Sequence, residues 1–126
     1  MLIKTWDCDG VIYFNKDVTG FRPEPNDIII TGRSFEEEPE TARMLALRCI
    51  NNKVYYNPLK FDEKTRESSG HHKANTIKAL QSIGFEISCH VEDDPVQAAV
   101  VREKCPDVNL ILITHNLTNM ENVRHL

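Results

Sequence analysis

Apolar residues occur along this chain in short runs, separated by segments in which they recur at helical spacing. The run Ile28-Ile29-Ile30 is continuous and β-branched, which is typical of a strand buried on both faces. The first run is only weakly apolar, because Lys4 and Thr5 interrupt it. Five strands are predicted in this way, at residues 2–6, 27–31, 53–56, 86–91 and 110–114.

Helical spacing predicts three helices between the strands, at residues 39–49, 73–83 and 95–105, and a short last helix at 119–126. Pro39 and Pro95 suit the first turn of a helix, and Gly84 suits the position just after one. The acidic run 36–38 is expected to be solvated at the positive end of a helix dipole. Two polar or turn-rich segments, 10–26 and 59–70, are predicted to be loops, the first with turns or a hairpin and no helix.

The order of these elements is mostly alternating strand and helix. Helical crossovers favour parallel pairing, so the predicted fold class is α/β: a three-layer α/β/α, Rossmann-like, five-stranded parallel sheet. At 126 residues, with no internal repeat, low-complexity tract or linker, the chain is expected to form a single domain over residues 1–126. Ligands of such sheets bind at the carboxyl ends of the strands.

Composition and charge exclude several classes of protein. A formal net charge of -4 and a pI of about 5.7 provide no overall basic field to attract nucleic acid or anionic lipid. No apolar run approaches the ~20 residues that a membrane-spanning helix needs. A cytoplasmic protein is expected, because no basic segment followed by an apolar stretch marks a secretory signal. The four cysteines show neither C-x-x-C spacing nor a metal-ligand pattern.

Two carboxylates flank one residue directly after the first strand, in the run Asp7-Cys8-Asp9-Gly10-Val11. Adjacent carboxylates repel each other unless a cation lies between them or one is protonated. Mg²⁺ would remove the repulsion, because it prefers oxygen ligands and keeps sites for water and a substrate phosphate. At the end of the second strand, Thr31-Gly32-Arg33 offers a hydroxyl and backbone N–H groups that can hydrogen-bond phosphate oxygens.

Two later positions extend this set of polar groups. Lys73 lies at the predicted start of a helix, where the dipole disfavours a cation, which suggests that its purpose is to neutralise a phosphate. Glu92-Asp93-Asp94 ends the fourth strand, where three consecutive acids would be costly without a cation. Asp94 has a structural role as N-cap of the next helix, which leaves Asp93, or Glu92, as a metal ligand. His90, on the same strand, is expected only to pack against a helix.

The order of these motifs resembles that of the haloacid dehalogenase-like superfamily of phosphohydrolases, from residue 2 to about 114. The first motif of that family, D-x-D-G-[TV], matches Asp7-Cys8-Asp9-Gly10-Val11. The second, a Thr or Ser often seen in T-G-R, matches Thr31-Gly32-Arg33. The third, a lysine near the start of a later helix, matches Lys73, and the fourth, an acidic pair ending the next strand, matches Glu92-Asp93-Asp94.

The resemblance implies a role for each matching residue. Asp7 would be the nucleophile that forms an aspartyl-phosphate, and Asp9 would protonate the leaving group and then activate the hydrolytic water. Mg²⁺ would be held by Asp7, the backbone carbonyl of Asp9, and Asp93. The groups that would bind the phosphate or the substrate are Thr31, Gly32, Arg33 and Lys73, with Lys60 and Lys64 as alternatives for the lysine.

Two departures from the family pattern bear on the substrate. The connection between the first two strands has about twenty residues and no predicted helix, so a cap domain has no room there. The segment 31–73 is too short for the alternative cap once a helix and a strand are placed. The chain therefore resembles a small capless member. In the family, an open site implies a bulky substrate, such as a phosphorylated protein or polynucleotide, or a partner subunit that serves as a lid.

Two other functions use the same residues. The S/T-G-R and acidic motifs also resemble the phosphatase domain of polynucleotide kinases, which makes a polynucleotide 3′-phosphatase an alternative, although the acidic pI weighs against it. A catalytically silent binding domain is a second alternative, but it would have no physical reason to keep repelling carboxylates. A response-regulator receiver does not fit, because its third strand would end in aspartate and its fifth in lysine, where this chain has Tyr56-Asn57 and Thr114-His115.

Overall fold

A computed structural model describes residues 2–115 of the chain. All elements within this range except the second helix begin and end close to the predicted positions. The strands are β1 (Leu2–Trp6), β2 (Ile28–Ser34), β3 (Val54–Asn57), β4 (Glu86–Glu92) and β5 (Asn109–Leu112). The helices are α1 (Glu38–Leu47), α2 (Arg66–Ser82) and α3 (Pro95–Lys104), with a 3₁₀ turn over Phe35–Glu37.

The five strands form one parallel sheet in the order β3-β2-β1-β4-β5. The predicted α/β, three-layer, Rossmann-like architecture without a cap is therefore confirmed for the described residues. β1 lies at the centre, and its last residue, Trp6, pairs with Ile29 of β2 on one side and Val91 of β4 on the other. The carboxyl ends of these three strands consequently lie side by side.

Each face of the sheet has its own apolar core. On one face, Ile77 and Leu80 of α2 and Val101 of α3 pack against β-branched side chains of the central strands. On the other face, Leu45 of α1 and Ile12 of the segment 10–26 cover the sheet. Helices on both faces leave the ends of the strands as the exposed edge at which polar groups can gather.

Helix α2 begins much earlier than predicted. Arg66 is its first residue, so the prediction of loop up to residue 70 and of a helix start at Lys73 was wrong. Thr65 is the N-cap, and it exchanges hydrogen bonds with Ser68 in a capping box. The first turns of α2 bury Gly70, where a Cβ atom would lie 2.9 Å from Cβ of Val100 in α3. The prediction relied on the apolar spacing of Ile77, Leu80 and Ile83, and the first turns of α2, which pack closely on α3 through small residues, have no such spacing.

Strand β2 continues to Ser34, three residues past the predicted end, because Ser34 pairs with Asn57 of β3. The residues 10–26 contain turns and isolated bridges without a helix, as predicted. Glu37 is not a solvated residue, since its carboxylate lies 2.7 Å from Nζ of the buried Lys64. The predicted helix at 119–126 lies outside the described residues. No helix between residues 2 and 115 has the length and apolar character needed to cross a membrane.

Candidate functional site

Three acids meet where β1 and β4 end. Asp7 directly follows β1, and its backbone N–H donates to the carbonyl of Val91, the residue before Glu92. Glu92 is the last residue of β4, and Asp93 follows it. One carboxylate oxygen from each of Asp7, Glu92 and Asp93 lies within 4.8 Å of the other two. The parallel register of the two strands therefore brings together residues that are far apart in sequence.

Gly10 makes room for Asp93 in this cluster. A Cβ atom at position 10 would lie 1.8 Å from Oδ2 of Asp93, far inside van der Waals contact. Gly10 also has φ +84°, a backbone conformation that side chains disfavour. The glycine of the D-x-D-G motif thus has two physical reasons in this structure, a turn and the close approach of a carboxylate.

Lys73 is the cation at the cluster. Its Nζ lies 2.9 Å from Oδ1 of Asp7 and 2.7 Å from Oε1 of Glu92, and the side chain is 1 % exposed. The alternative lysines lie elsewhere: Lys64 donates to the carbonyl of Gly32 and pairs with Glu37, while Lys60 is on the surface. Lys73 is therefore the lysine beside the first aspartate, although it lies inside α2 and not at the start.

The electrostatics of the cluster favour an additional cation. Burial, followed by the neighbouring Glu92, raises the pKa of Asp7 well above its usual value, and burial also raises the pKa of Glu92. Burial and the charge of Asp7 raise the pKa of Asp93 to about 8. One lysine does not neutralise three carboxylates, and a hard divalent ion accepts oxygen ligands of this kind. The three side chains thus fit a metal ion.

His90 contacts Glu92, and Thr5 in turn contacts His90. Nε2 of His90 lies 3.1 Å from Oε1 of Glu92, and Nδ1 lies 2.8 Å from the hydroxyl of Thr5 on β1. Burial, and then Lys73, lower the pKa of His90 to about 3, so the ring is neutral. The expectation that His90 only packs against a helix missed this contact. The available signal was spacing, because residues two apart on a strand point to the same face.

The carboxylate of Asp9 lies outside this cluster and is paired with Arg33. Both oxygens of Asp9 accept hydrogen bonds of 2.8 Å, from Nε and Nη2 of Arg33. The guanidinium is 1 % exposed, and its Nη1 donates to the hydroxyl of Thr41 and lies 3.7 Å from Sδ of Met44. Arg33, which the resemblance assigns to substrate binding, is thus engaged by the protein itself.

The remaining predicted residues lie at the same edge of the sheet. Thr31 is two residues beyond the Trp6–Ile29 pair, is fully buried, and its hydroxyl accepts the N–H of Arg33 at 3.1 Å. Asp94 is the N-cap of α3 and accepts both hydrogen bonds of a bidentate pair from Arg66. Its structural role is confirmed, and Glu92 and Asp93 are the two acids of this run that join the cluster.

Comparison of the chain with protein-family models, with curated proteins and with solved structures found no match. The chemistry of the site is therefore argued from its own residues. They provide a cluster of three buried carboxylates, a lysine in contact with two of them, and a separate carboxylate–guanidinium pair close by.

Proposed function

We propose that the chain is a Mg²⁺-dependent phosphatase of the haloacid dehalogenase-like type, which hydrolyses phosphate monoesters through an aspartyl-phosphate on Asp7. The observation that carries the proposal is the meeting of Asp7, Glu92, Asp93 and Lys73 at the carboxyl ends of β1 and β4. Phosphoryl transfer requires mainly positioning and neutralisation of charge, and this group of residues supplies both.

The metal would be held by the carboxylates of Asp7 and Asp93 and the backbone carbonyl of Asp9, with Glu92 beside them. Carboxylate and carbonyl oxygens are the ligands of hard divalent ions, and Mg²⁺ is the common partner of phosphate groups. When bound, the ion would neutralise charge on the phosphoryl group. The raised pKa of Asp93, about 8, follows from burial and the charge of Asp7, and a bound cation would lower it.

Asp7 is held in a fixed orientation for attack. Its Oδ1 accepts from Nζ of Lys73 at 2.9 Å and from the N–H of Cys8 at 2.9 Å. In the proposed first step, a carboxylate oxygen of Asp7 bonds to phosphorus while the bond from phosphorus to the ester oxygen breaks. In the second step, water attacks phosphorus and restores the carboxylate. Lys73 and the groups of Thr31 and Gly32 would bind the phosphoryl oxygens.

To protonate the leaving group in the first step, Asp9 would have to carry a proton on one oxygen in place of a hydrogen bond from Arg33, and it would accept a proton from water in the second step. Because Arg33 binds both of its oxygens, the direction of the Asp9 carboxylate is set by the guanidinium. We assign Arg33 to the positioning of Asp9 in place of direct binding to the substrate.

The proposal is tested with p-nitrophenyl phosphate and Mg²⁺. The wild-type protein is expected to hydrolyse it, and Asp7→Asn is expected to lower kcat by about 10³-fold or more, because the amide cannot serve as nucleophile. Asp107→Asn, at an exposed aspartate before β5, is the matched control and should retain the wild-type rate. Turnover by Asp7→Asn at the wild-type rate, or no turnover by the wild type on a broad panel of phosphate esters, would contradict the proposal.

A further inference from the structure

An exposed apolar patch lies at the same edge of the sheet as the acidic cluster. It consists of Phe35, which follows β2, and of Leu59 and Phe61, which follow β3. Their exposed fractions are 59 %, 37 % and 38 %. Loops that follow neighbouring parallel strands emerge at one edge, so these side chains belong to one surface. Single exposed apolar residues are ordinary, whereas a group of them beside a candidate site suggests an interface.

Ring contacts and a hydrogen bond hold Phe35 and Phe61 against neighbouring residues. The ring of Phe35 lies 5.8 Å from that of the buried Tyr56. The backbone N–H of Phe61 donates to a carboxylate oxygen of Glu36 at 2.6 Å, which ties the loop after β3 to the turn after β2. Lys64 lies 5.1 Å from the Phe61 ring and donates to the carbonyl of Gly32, next to Thr31. The apolar surface is therefore connected to the end of β2, where the proposed function places the groups that bind phosphate.

The charge around the patch is strongly one-sided. Exposed side chains in the segments 35–40 and 58–63 include only one cation, Lys60. The exposed carboxylates in these two segments are those of Glu36, Glu38, Glu40, Asp62 and Glu63. Such a field repels nucleic acid, anionic lipid and a second copy of the same surface, and it attracts cationic partners.

We propose that this patch is a docking surface for a basic polypeptide segment that carries apolar side chains. The apolar side chains of the partner would cover Phe35, Leu59 and Phe61, and its Lys and Arg residues would face the surrounding carboxylates. If the proposed function holds, on which this part rests, the natural substrate is a phosphorylated protein with basic residues beside the phosphate. The absence of a cap among the described residues leaves this approach open.

Docking is tested by fluorescence anisotropy with a fluorescein-labelled peptide of alternating Lys and Leu. The peptide is expected to bind, more weakly as salt is added, and Phe35→Ser or Phe61→Ser should weaken binding by about tenfold. Leu47→Ser is the matched control, because Leu47 is 81 % exposed at the far end of α1 and should not affect binding. Equal affinity in the patch variants, or tighter binding of a Glu-for-Lys peptide or of single-stranded DNA, would overturn the inference.

Activity on a small substrate and on a peptide substrate distinguishes the docking surface from the proposed phosphatase function. Phe35→Ser and Phe61→Ser should leave kcat/KM for p-nitrophenyl phosphate unchanged and lower kcat/KM for a basic phosphoserine peptide by about tenfold. Turnover of p-nitrophenyl phosphate without any peptide binding would overturn the docking surface alone. Peptide binding that depends on the patch, in a protein with no phosphatase activity, would support the docking surface while removing the proposed function.

Discussion

Gly10 is the residue on which the position of Asp93 depends most directly. A Cβ atom there would lie 1.8 Å from Oδ2 of Asp93, so Gly10→Ala is expected to displace that carboxylate. Mg²⁺ affinity, measured by isothermal titration calorimetry, should fall by about tenfold or more. Gly84 is the matched control, because it also has positive φ, +107°, but has open space around its Cβ position. Gly84→Ala should lower the free energy of unfolding by about 1 kcal/mol and leave Mg²⁺ affinity unchanged. Unchanged Mg²⁺ affinity in Gly10→Ala would contradict the assignment of Asp93 as a metal ligand.

The Arg33–Asp9 pair predicts a large loss of stability when only one partner is removed. Arg33→Met would leave a carboxylate that is 14 % exposed without its bidentate partner, so unfolding free energy should fall by about 3 kcal/mol. The double variant Asp9→Asn/Arg33→Met should regain at least about 1 kcal/mol of that loss, because no unpaired charge is left. Urea denaturation measures both values. If the loss of unfolding free energy in the double variant equals the sum of the losses in Arg33→Met and Asp9→Asn alone, the two side chains do not couple.

The start of helix α2, and with it the position of Lys73 in the helix, could not be predicted from the apolar pattern. The stripe of Ile77, Leu80 and Ile83 predicts its second half, but its first turns bury Ser69 and Gly70, which carry no apolar signal. Extending the helix back to Arg66 changes the position of Lys73 from the end of a helix to its interior. The argument from an unfavourable dipole was therefore wrong, and the structure instead places Lys73 in an ion pair with Asp7.

The same helix carries a pH-dependent contribution to stability at His72. Burial, and then the charge of Lys73, lower the pKa of His72 to about 4, whereas a histidine in the unfolded chain titrates near ~6.5. As the pH falls below that value, the unfolded state binds the proton first, so the folded state loses stability. Relative to His72→Gln, the unfolding free energy of the wild type should decrease by about 2 kcal/mol between pH 7 and pH 4.5.

Urea titrations at several pH values measure the difference in unfolding free energy between the wild type and His72→Gln. The other titrating groups are the same in both proteins, so their contributions cancel. His71→Gln reports the effect of removing a half-buried histidine from the same helix. A difference between wild type and His72→Gln that is constant with pH, or that grows as the pH falls, would contradict a neutral His72 in the folded protein.

The sheet as a whole explains which parts of the site could be predicted. Apolar runs locate β1, β2 and β4, and parallel pairing then requires their carboxyl ends to meet, so the convergence of Asp7 with the late acids follows from the order of elements. The hydrogen-bond partners of individual side chains at that edge do not follow from the order of elements. Spacing places His90 and Glu92 on one face of β4 but does not give the distance between them, and the pairing of Arg33 with Asp9 depends on side-chain directions that a one-dimensional pattern does not contain.

In the proposed function, Asp7 accepts a phosphoryl group at a divalent metal site built across β1 and β4. The most direct measurement is a crystal structure of the protein soaked with Mg²⁺ and beryllium fluoride, which mimics a phosphoryl group. We expect beryllium to be bonded to a carboxylate oxygen of Asp7, with Mg²⁺ bound by Asp7 and Asp93. Beryllium fluoride on another residue, or Mg²⁺ bound away from both aspartates, would contradict the proposed function.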